Sequence, residues 1–420
     1  MNNIAAIILA AGEGTRMKSS IPKVLHRICG KPIIKYLVDT MRSIGIQNII
    51  VVVGHKEGLV KKELQGVRWV KQAECLGTAD AALKTKKFLV ADDKIDSVLI
   101  SYGDTPLLTP KTLKNIIDRH TSSKSGCTLL TARLKNPTGY GRVLRSGNDK
   151  IMKIVEELDA VIYEKVIEEI NVGMYCFDKK ALFEALELIT PNNRKREYYL
   201  TDTIEILAKL NTPIDSVSID DPEEFLGINT REDLIQAEQV VRRRVSNSIM
   251  QRGVTVVDPN NTYIDEDVEI EKDTTIYPYT FIEKGVKIGQ NCNIGPFARL
   301  RSSTIVDDNV SIGNFVEIVR SHIGRDTRVN HQCYIGDTII GKRVNIGAGT
   351  IVANYDGKSK YKTIIEDNAF IGSGSILIAP VKVGKGAVTG AGSVVTKNKN
   401  VPAGKVVAGV PAKILKKTKR

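Results

Sequence analysis

The 420-residue chain is poor in aromatics, at 5%, and has no Cys-x-x-Cys pair. Its six cysteines, Cys29, Cys75, Cys127, Cys176, Cys292 and Cys333, lie far apart. That spacing argues against a zinc site or a disulfide framework and suits a reducing cytosol. Long apolar runs are also missing. The run from Ile4 to Ala11 is too short to span a bilayer and carries no basic leader or cleavage site. A cytoplasmic protein with no membrane partner is expected. The net charge is +13, but the basic residues are scattered and few aromatics interleave them, so no nucleic-acid partner is expected. The one dense basic cluster, Lys413 to Arg420, reads as a solvated end. Elsewhere the positive charge suits phosphorylated small molecules. Two phosphate-binding patterns are absent as well. The glycine spacing is not Gly-x-Gly-x-x-Gly, and there is no Gly-x-x-x-x-Gly-Lys-Ser/Thr loop.

What is present is a ladder. Every sixth residue from Ile264 to Ile318 is aliphatic: Ile264, Ile270, Ile276, Ile282, Ile288, Ile294, Leu300, Val306, Ile312 and Ile318. A helix repeats near 3.6 residues and a strand at 2, so a sustained period of six means a solenoid. Each hexad makes one face of a triangular coil. The aliphatic residue points inward, and the glycine that often follows it (Gly289, Gly295, Gly313) is expected to take the tight corner. The ladder slips after Ile318 to Ile323, Val329 and Ile335, and again to Ile340, Ile346 and Val352. The polar stretch Asn354 to Lys362 interrupts it before Ile365. Such a stretch does not fit inside a coil, so it projects outward, and loops of that kind often carry function.

A chain this long needs more than one core. The first half alternates continuous apolar strands (Ile4–Leu9, Asn48–Val53, Ser97–Tyr102) with helices (Pro32–Ile44, Gly77–Lys86, Pro110–His120). That predicts an α/β domain with a mostly parallel sheet, whose ligands sit at the carboxyl ends of the strands. Thr230, with Asp233 three residues on, reads as an N-cap opening a bridging helix with the apolar stripe Leu234, Ala237, Val241, Val245 and Ile249. The expected domains are residues 1–228, a linker helix over 229–252, and the solenoid over 253–420.

The sharpest motif is Leu9-Ala-Ala-Gly-Glu-Gly-Thr-Arg-Met17 followed by Pro22-Lys23. A glycine-rich turn after a first strand offers N–H groups to phosphate oxygens, with Arg16 and Lys23 adding positive donors. By itself this says only that phosphate binds near a strand end. The whole stretch resembles the signature of sugar-phosphate nucleotidyltransferases. Further stretches, among them Gln72-Ala-Glu-Cys-Leu-Gly-Thr78, Tyr102-Gly-Asp-Thr-Pro106 and Glu197-Tyr-Tyr-Leu-Thr-Asp202, narrow the match. Together with the solenoid they resemble the bacterial family of bifunctional N-acetylglucosamine-1-phosphate uridylyltransferase / glucosamine-1-phosphate acetyltransferase. The resemblance implies a Rossmann-like nucleotidyltransferase domain followed by a left-handed parallel β-helix of hexapeptide repeats.

It also implies roles. The backbone of Leu9, Ala10, Ala11, Gly12 and Gly14, with Tyr102 and Gly103, would hold substrate. Arg16 and Lys23 would be catalytic cations on the nucleotide phosphates. Gln72, Gly77 and Thr78 would read the uracil of UTP, and Gly141, Glu156 and Asn171 would line the sugar of N-acetylglucosamine-1-phosphate. Asp104 and Asn229 would hold Mg²⁺, and one Asp with one Asn suffices because the ion keeps waters and phosphate oxygens. In the solenoid, His331 would be the base that deprotonates glucosamine-1-phosphate. Arg301, Tyr334 and Asn345 would bind the sugar phosphate. The N–H of Ala348 would stabilise the oxyanion formed from acetyl-CoA, Asn354, Tyr355, Ser373 and Ala391 would contact sugar or CoA, and a homotrimer is implied.

Three departures from the family pattern stand out. Gly77-Thr-Ala-Asp80 replaces Gly-Thr-Gly-His, Val319 replaces a lysine, and no arginine precedes Val410-Pro411. The alternative reading is therefore a nucleotidyltransferase whose β-helix is a trimerising scaffold or acts on a different acyl acceptor. A non-catalytic sensor is disfavoured, since it has no need of Asp104.

Overall fold

The computed structural model describes residues 3–54, 56–219 and 221–415. The chain divides into two compact units, Met1–Val240 and Val241–Arg420. The division falls inside the helix Arg231–Gln251. Residues 416–420 of the basic tail lie outside the described residues.

The first unit is built on one mixed sheet. We label its strands β1 (Ile4–Ala10), β2 (Asn48–Val53), β3 (Arg68–Lys71), β4 (Ser97–Tyr102), β5 (Cys127–Arg133), β6 (Arg142–Arg145), β7 (Ile151–Val155), β8 (Glu169–Asp178) and β9 (Ile214–Ile219). The order is β9-β5-β8-β4-β1-β2-β3, with β6 pairing off β8 and β7 pairing with β6. β1 is parallel to both β2 and β4, whereas β8 runs antiparallel to β4 and β5. Both sheet faces are covered, which is why β1 is apolar throughout. Ala5, Ile7 and Leu9 enter one core, while Ile4, Ala6 and Ile8 enter the other.

The expected helices at Pro32 and Pro110 are present as Ile33–Ser43 and Pro110–Ser123. The helix expected over Gly77–Lys86 is split into Thr78–Leu83 and Lys86–Leu89. At the break the Thr85 hydroxyl donates to the Ala82 carbonyl (2.6 Å), a local bond that competes with helix continuation. Thr230 and Asp233 form the expected reciprocal cap. Asp233 accepts from the N–H groups of Asn229 (2.9 Å) and Thr230 (2.8 Å), and its own N–H donates to the Thr230 hydroxyl (3.2 Å).

The second unit is a left-handed parallel β-helix. Its short strands stack into three sheets of ten, eight and seven strands, one for each face of the coil. Ile264 stands beside Ile282, and Ile282 beside Leu300 and Ile318 in turn. Three hexads thus close one turn, and neighbouring coils are offset by 18 residues. Each slip of the ladder shortens the offset to 17, and the polar insertion lengthens it to 25. The ladder residues are buried in one continuous core. At about 25 cal/mol per Å², each aliphatic rung contributes on the order of 2 kcal/mol. Val245 and Ile249 of the bridging helix pack on that core.

Most corners do not fall on the residue directly after a rung. The left-handed backbone falls three residues after most rungs, at Asp273, Tyr279, Asn291, Phe297, Asn309 and Phe315, for example. The glycine directly after a rung has another cause. A Cβ on Gly313 would lie 2.0 Å from the Asn330 carbonyl oxygen in the next coil, and one on Gly289 would lie 2.8 Å from the Asp308 nitrogen. At Gly289 and Gly313 coil-to-coil approach, not turn geometry, demands glycine, whereas Gly295, with a φ of +97°, does take a left-handed position.

Candidate active sites

At the carboxyl ends of β1 and β4 a cleft of about 450 Å³ opens in the first unit. Leu9, Ala10, Ala11, Gly12 and Gly14 form one wall. Gly103 sits behind it, its N–H bonded to the Leu9 carbonyl (2.9 Å). Gln72, Gly77 and Thr78 form the opposite wall, and Lys23, Tyr102 and Asp104 close the end between them.

The charges converge on Asn229. Its side-chain oxygen accepts from Arg16 (2.9 Å) and from Lys23 (3.1 Å), and Lys23 also donates to the Asp104 carboxylate. The cap at Asp233 fixes the Asn229 backbone, so the helix start aims this side chain. Asp104 and Asn229 thus turn two oxygens toward one ammonium. The place is made for positive charge, with the hard oxygen donors a divalent cation prefers. No group of three or more His, Cys, Asp or Glu side chains suited to a metal occurs among the described residues.

Gly77 lies where the chain Glu197–Asp202 folds back. Its φ is +120°, and an added Cβ would lie 2.4 Å from the Tyr198 carbonyl oxygen. The Tyr198 N–H donates to Leu76 (2.8 Å), and the Tyr198 carbonyl accepts from the Ala79 N–H (2.8 Å). This return brings Lys195 and Glu197 into the cleft, and Cys75 also lines it. These three were missed from sequence. The only signal was that Glu197 and Cys75 lie within family-like stretches. Burial, then the charges of Glu13 and Glu197, pushes the Cys75 thiol up.

Gly141, Glu156 and Asn171 come together on a shelf beside the cleft. The Asn171 N–H bonds the Gly141 carbonyl (2.8 Å), and the Asn171 amide donates to the Tyr175 hydroxyl (2.7 Å). Glu156 accepts from the Thr201 hydroxyl (3.1 Å), and burial holds its carboxyl above the usual range despite that bond. Tyr102 connects shelf and cleft. Burial, then the Glu156 charge, raises its hydroxyl pKa.

In the second unit four of the predicted residues sort onto one vertex. His331, Ala348, Ser373 and Ala391 each lie two residues after a rung in successive coils (Val329, Ile346, Ile371, Thr389). Asn314, which sequence reading left without a role, starts the column. It is paired in register with His331, and its side-chain oxygen lies 3.1 Å from His331 Nδ1. One residue further round the same vertex, Tyr279, Phe297 and Phe315 stack with ring centroids 4.9 and 5.3 Å apart. Beyond His331 that position turns to glycine, at Gly349, Gly374 and Gly392. The vertex is bare along those coils.

Arg301 donates to Glu317 (3.0 Å), the register partner of Tyr334. Asn345 is on another sheet, beside Arg328. A single chain therefore does not bring Asn345 and Tyr334 together on one face. Val319 is buried, and Arg320 forms a two-pronged bond with Asp337 (2.7 Å each). Asp337 also accepts from Asn354 at the root of the polar loop. Tyr355, at the loop's edge, is exposed and pairs with Lys360.

These features define a class: a nucleotidyltransferase joined to a hexapeptide-repeat acyltransferase. A MobA-like NTP transferase domain matches residues 6–196, a GMPPB C-terminal domain residues 259–355, and a hexapeptide repeat of succinyl-transferase residues 362–397. The chain is 43% identical over 437 residues to the bifunctional protein GlmU of Clostridium perfringens, covering 96% of this chain and 95% of that protein. It is 42% identical over 432 residues to the GlmU protein of Halalkalibacterium halodurans, covering 95% and 94%. Against that of Clostridioides difficile it is 39% identical over 450 residues, covering 99% and 96%. The chain belongs to the GlmU family of bifunctional proteins.

Proposed function

We propose that the two sites carry out successive steps of UDP-N-acetylglucosamine synthesis, acetyl transfer in the β-helix and uridylyl transfer in the α/β unit. The observation that carries the first step is the Asn314–His331 pair. With Asn314 accepting from Nδ1–H, His331 Nε2 keeps its lone pair. It takes a proton from the amine of glucosamine-1-phosphate. The amine nitrogen attacks the thioester carbon of acetyl-CoA, the C–N bond forms, and the C–S bond breaks as CoA leaves. Ala348, whose carbonyl is taken by Gly374 (2.7 Å), offers its N–H to the oxyanion. Arg301, Tyr334 and Asn345 hold the sugar phosphate, while Asn354, Tyr355, Ser373 and Ala391 hold acetyl-CoA along the bare vertex.

For the second step the convergent Lys23–Asp104–Asn229 arrangement supports phosphate chemistry. Arg16 and Lys23 bind the UTP phosphates, assisted by the backbone from Leu9 to Gly14. Gln72, Gly77 and Thr78 take the base. Gly103, Gly141, Glu156 and Asn171 hold N-acetylglucosamine-1-phosphate, with Tyr102 between base and sugar. The sugar phosphate oxygen attacks the α-phosphorus in line, and pyrophosphate leaves as the new O–P bond forms. This half uses a divalent metal, which we assign as Mg²⁺ held by Asp104 and Asn229. Bound there, it would neutralise the phosphate oxygens. We also assign a homotrimer, supported by the placement of Asn345 and Tyr334 on different faces. The six cysteines, none of them in a disulfide, support a cytoplasmic location.

The test is to supply acetyl-CoA and glucosamine-1-phosphate and follow free thiol, then add UTP and follow pyrophosphate. Both signals are expected. A flat thiol trace at high enzyme would overturn the acetyltransferase reading and leave the β-helix as a scaffold.

A further inference from the structure

Gln72 follows β3 and lies at the floor of the nucleotide cleft, 4% exposed. Its side-chain nitrogen donates to the Gly77 carbonyl (3.0 Å) and to Asp80 Oδ2 (2.8 Å). A carbonyl and an ionised carboxylate only accept hydrogen bonds. The amide nitrogen must therefore face them, and both of its hydrogens are used. The amide oxygen is left on the other side of the group. Asp80 is itself held, because Lys84, one helical turn on, lies 3.0 Å from its other carboxylate oxygen. The Asp80 side chain is only 12% exposed, so its direction is set by packing as well.

We infer that Asp80 is a specificity-determining positioning residue: it holds the Gln72 amide with its oxygen toward the nucleobase. The inference rests on the uridylyltransferase reading. An inward-facing oxygen suits a base that presents a ring N–H, as uracil does at N3. Cytosine presents a lone pair at N3, and two acceptors then face each other with no proton between them. A freely flipping glutamine amide serves both bases, because its oxygen and nitrogen ends have nearly the same size. Binding sites discriminate strongly when a wrong ligand leaves a buried polar group unpaired.

The experiment measures kcat/KM with UTP and with CTP for the wild type, Asp80→Asn, Asp80→Ala and Asp80→Glu. In Asp80→Asn the oxygen stays with Lys84, and the new –NH₂ faces Gln72 and favours the flipped amide. The UTP-to-CTP preference is expected to fall by about tenfold or more, since one base contact is worth that much. Asp80→Ala should loosen the preference, and Asp80→Glu should restore most of it. kcat with UTP should move less than kcat/KM. A merely structural Asp80 would lower both nucleotides alike. If Asp80→Asn does not fold, Asp80→Ala carries the comparison. Folded variants that keep the wild-type preference overturn the inference. A wild type that shows no preference for UTP overturns instead the uridylyltransferase reading beneath it.

Discussion

Asn314 and His331 stand opposite each other in consecutive coils, with the amide oxygen of one 3.1 Å from Nδ1 of the other. An acceptor at Nδ1 fixes the tautomer whose Nε2 is basic. Asn314→Ala should therefore lower kcat of acetyl transfer by roughly 10- to 100-fold with KM for acetyl-CoA little moved. Asn314→Asp, which still accepts, should recover most of the rate. Thiol release under saturating substrate measures this, and an alanine variant at full rate removes Asn314 from the mechanism.

Asp104 shares Lys23 with Asn229. Asp104→Ala deletes the only carboxylate of that group. Pyrophosphate release from UTP should fall by about 10³-fold or more, while free thiol release from acetyl-CoA stays within twofold. Survival of both activities shows that the metal assignment is wrong.

Arg320 and Asp337 pair at the root of the polar loop, and Asp337 also holds Asn354. The guanidinium beside Asp337 keeps its carboxyl below the usual range. Asp337→Asn weakens both links. We expect KM for acetyl-CoA to rise about 3- to 10-fold, with uridylyl transfer unaffected. An unchanged KM would show that the loop contributes nothing to that substrate.

Asp202 is pushed up to about 6, first by burial and then by the charges of Glu205, Glu156 and Asp159. The folded protein keeps this proton between about pH 4 and 6, where the unfolded chain has released it. The associated stability is full below that window and is lost as pH rises through it. Asp202→Asn should therefore stabilise the protein at pH 7 by on the order of 1 kcal/mol, after discounting for solvent screening. The gain should shrink toward pH 4. Melting curves at both values decide it, and equal gains at the two would remove the titration as the cause.

Gly313 has an ordinary backbone but no room, whereas Gly285 has a φ of +73° and open space around it. Gly313→Ala should cost about 2–4 kcal/mol through overpacking between coils. Gly285→Ala should cost about 1 kcal/mol through backbone strain. Chemical denaturation of the two variants ranks them, and the reverse order would restore turn geometry as the reason for glycine after a rung.

The period of six was legible in the chain because each hexad repeats one local inward step. The slips and the polar insertion were legible for the same reason, as changes in that step. β1 and β4 showed in their continuous apolar runs, since both sheet faces are covered. The Thr230–Asp233 cap lay within four residues and was read directly. Gly289 and Gly313 were misread as corners because a sequence shows residue type, not φ or the distance to the next coil. Lys195 and Glu197 entered the cleft only through the backbone pairing of Tyr198 with Leu76 and Ala79, which no local pattern reveals.

The sequence by itself determined the architecture and the residue types at both sites, because apolar periodicity and glycine-rich turns act over a few residues. Only the tertiary structure decided which of those residues meet. Lys23 finds Asp104 and Asn229, Asn314 finds His331, and Asp80 turns the amide of Gln72. A hydrogen bond needs its partners within about 3 Å and in line, and that geometry is set by strand order and coil register rather than by spacing along the chain.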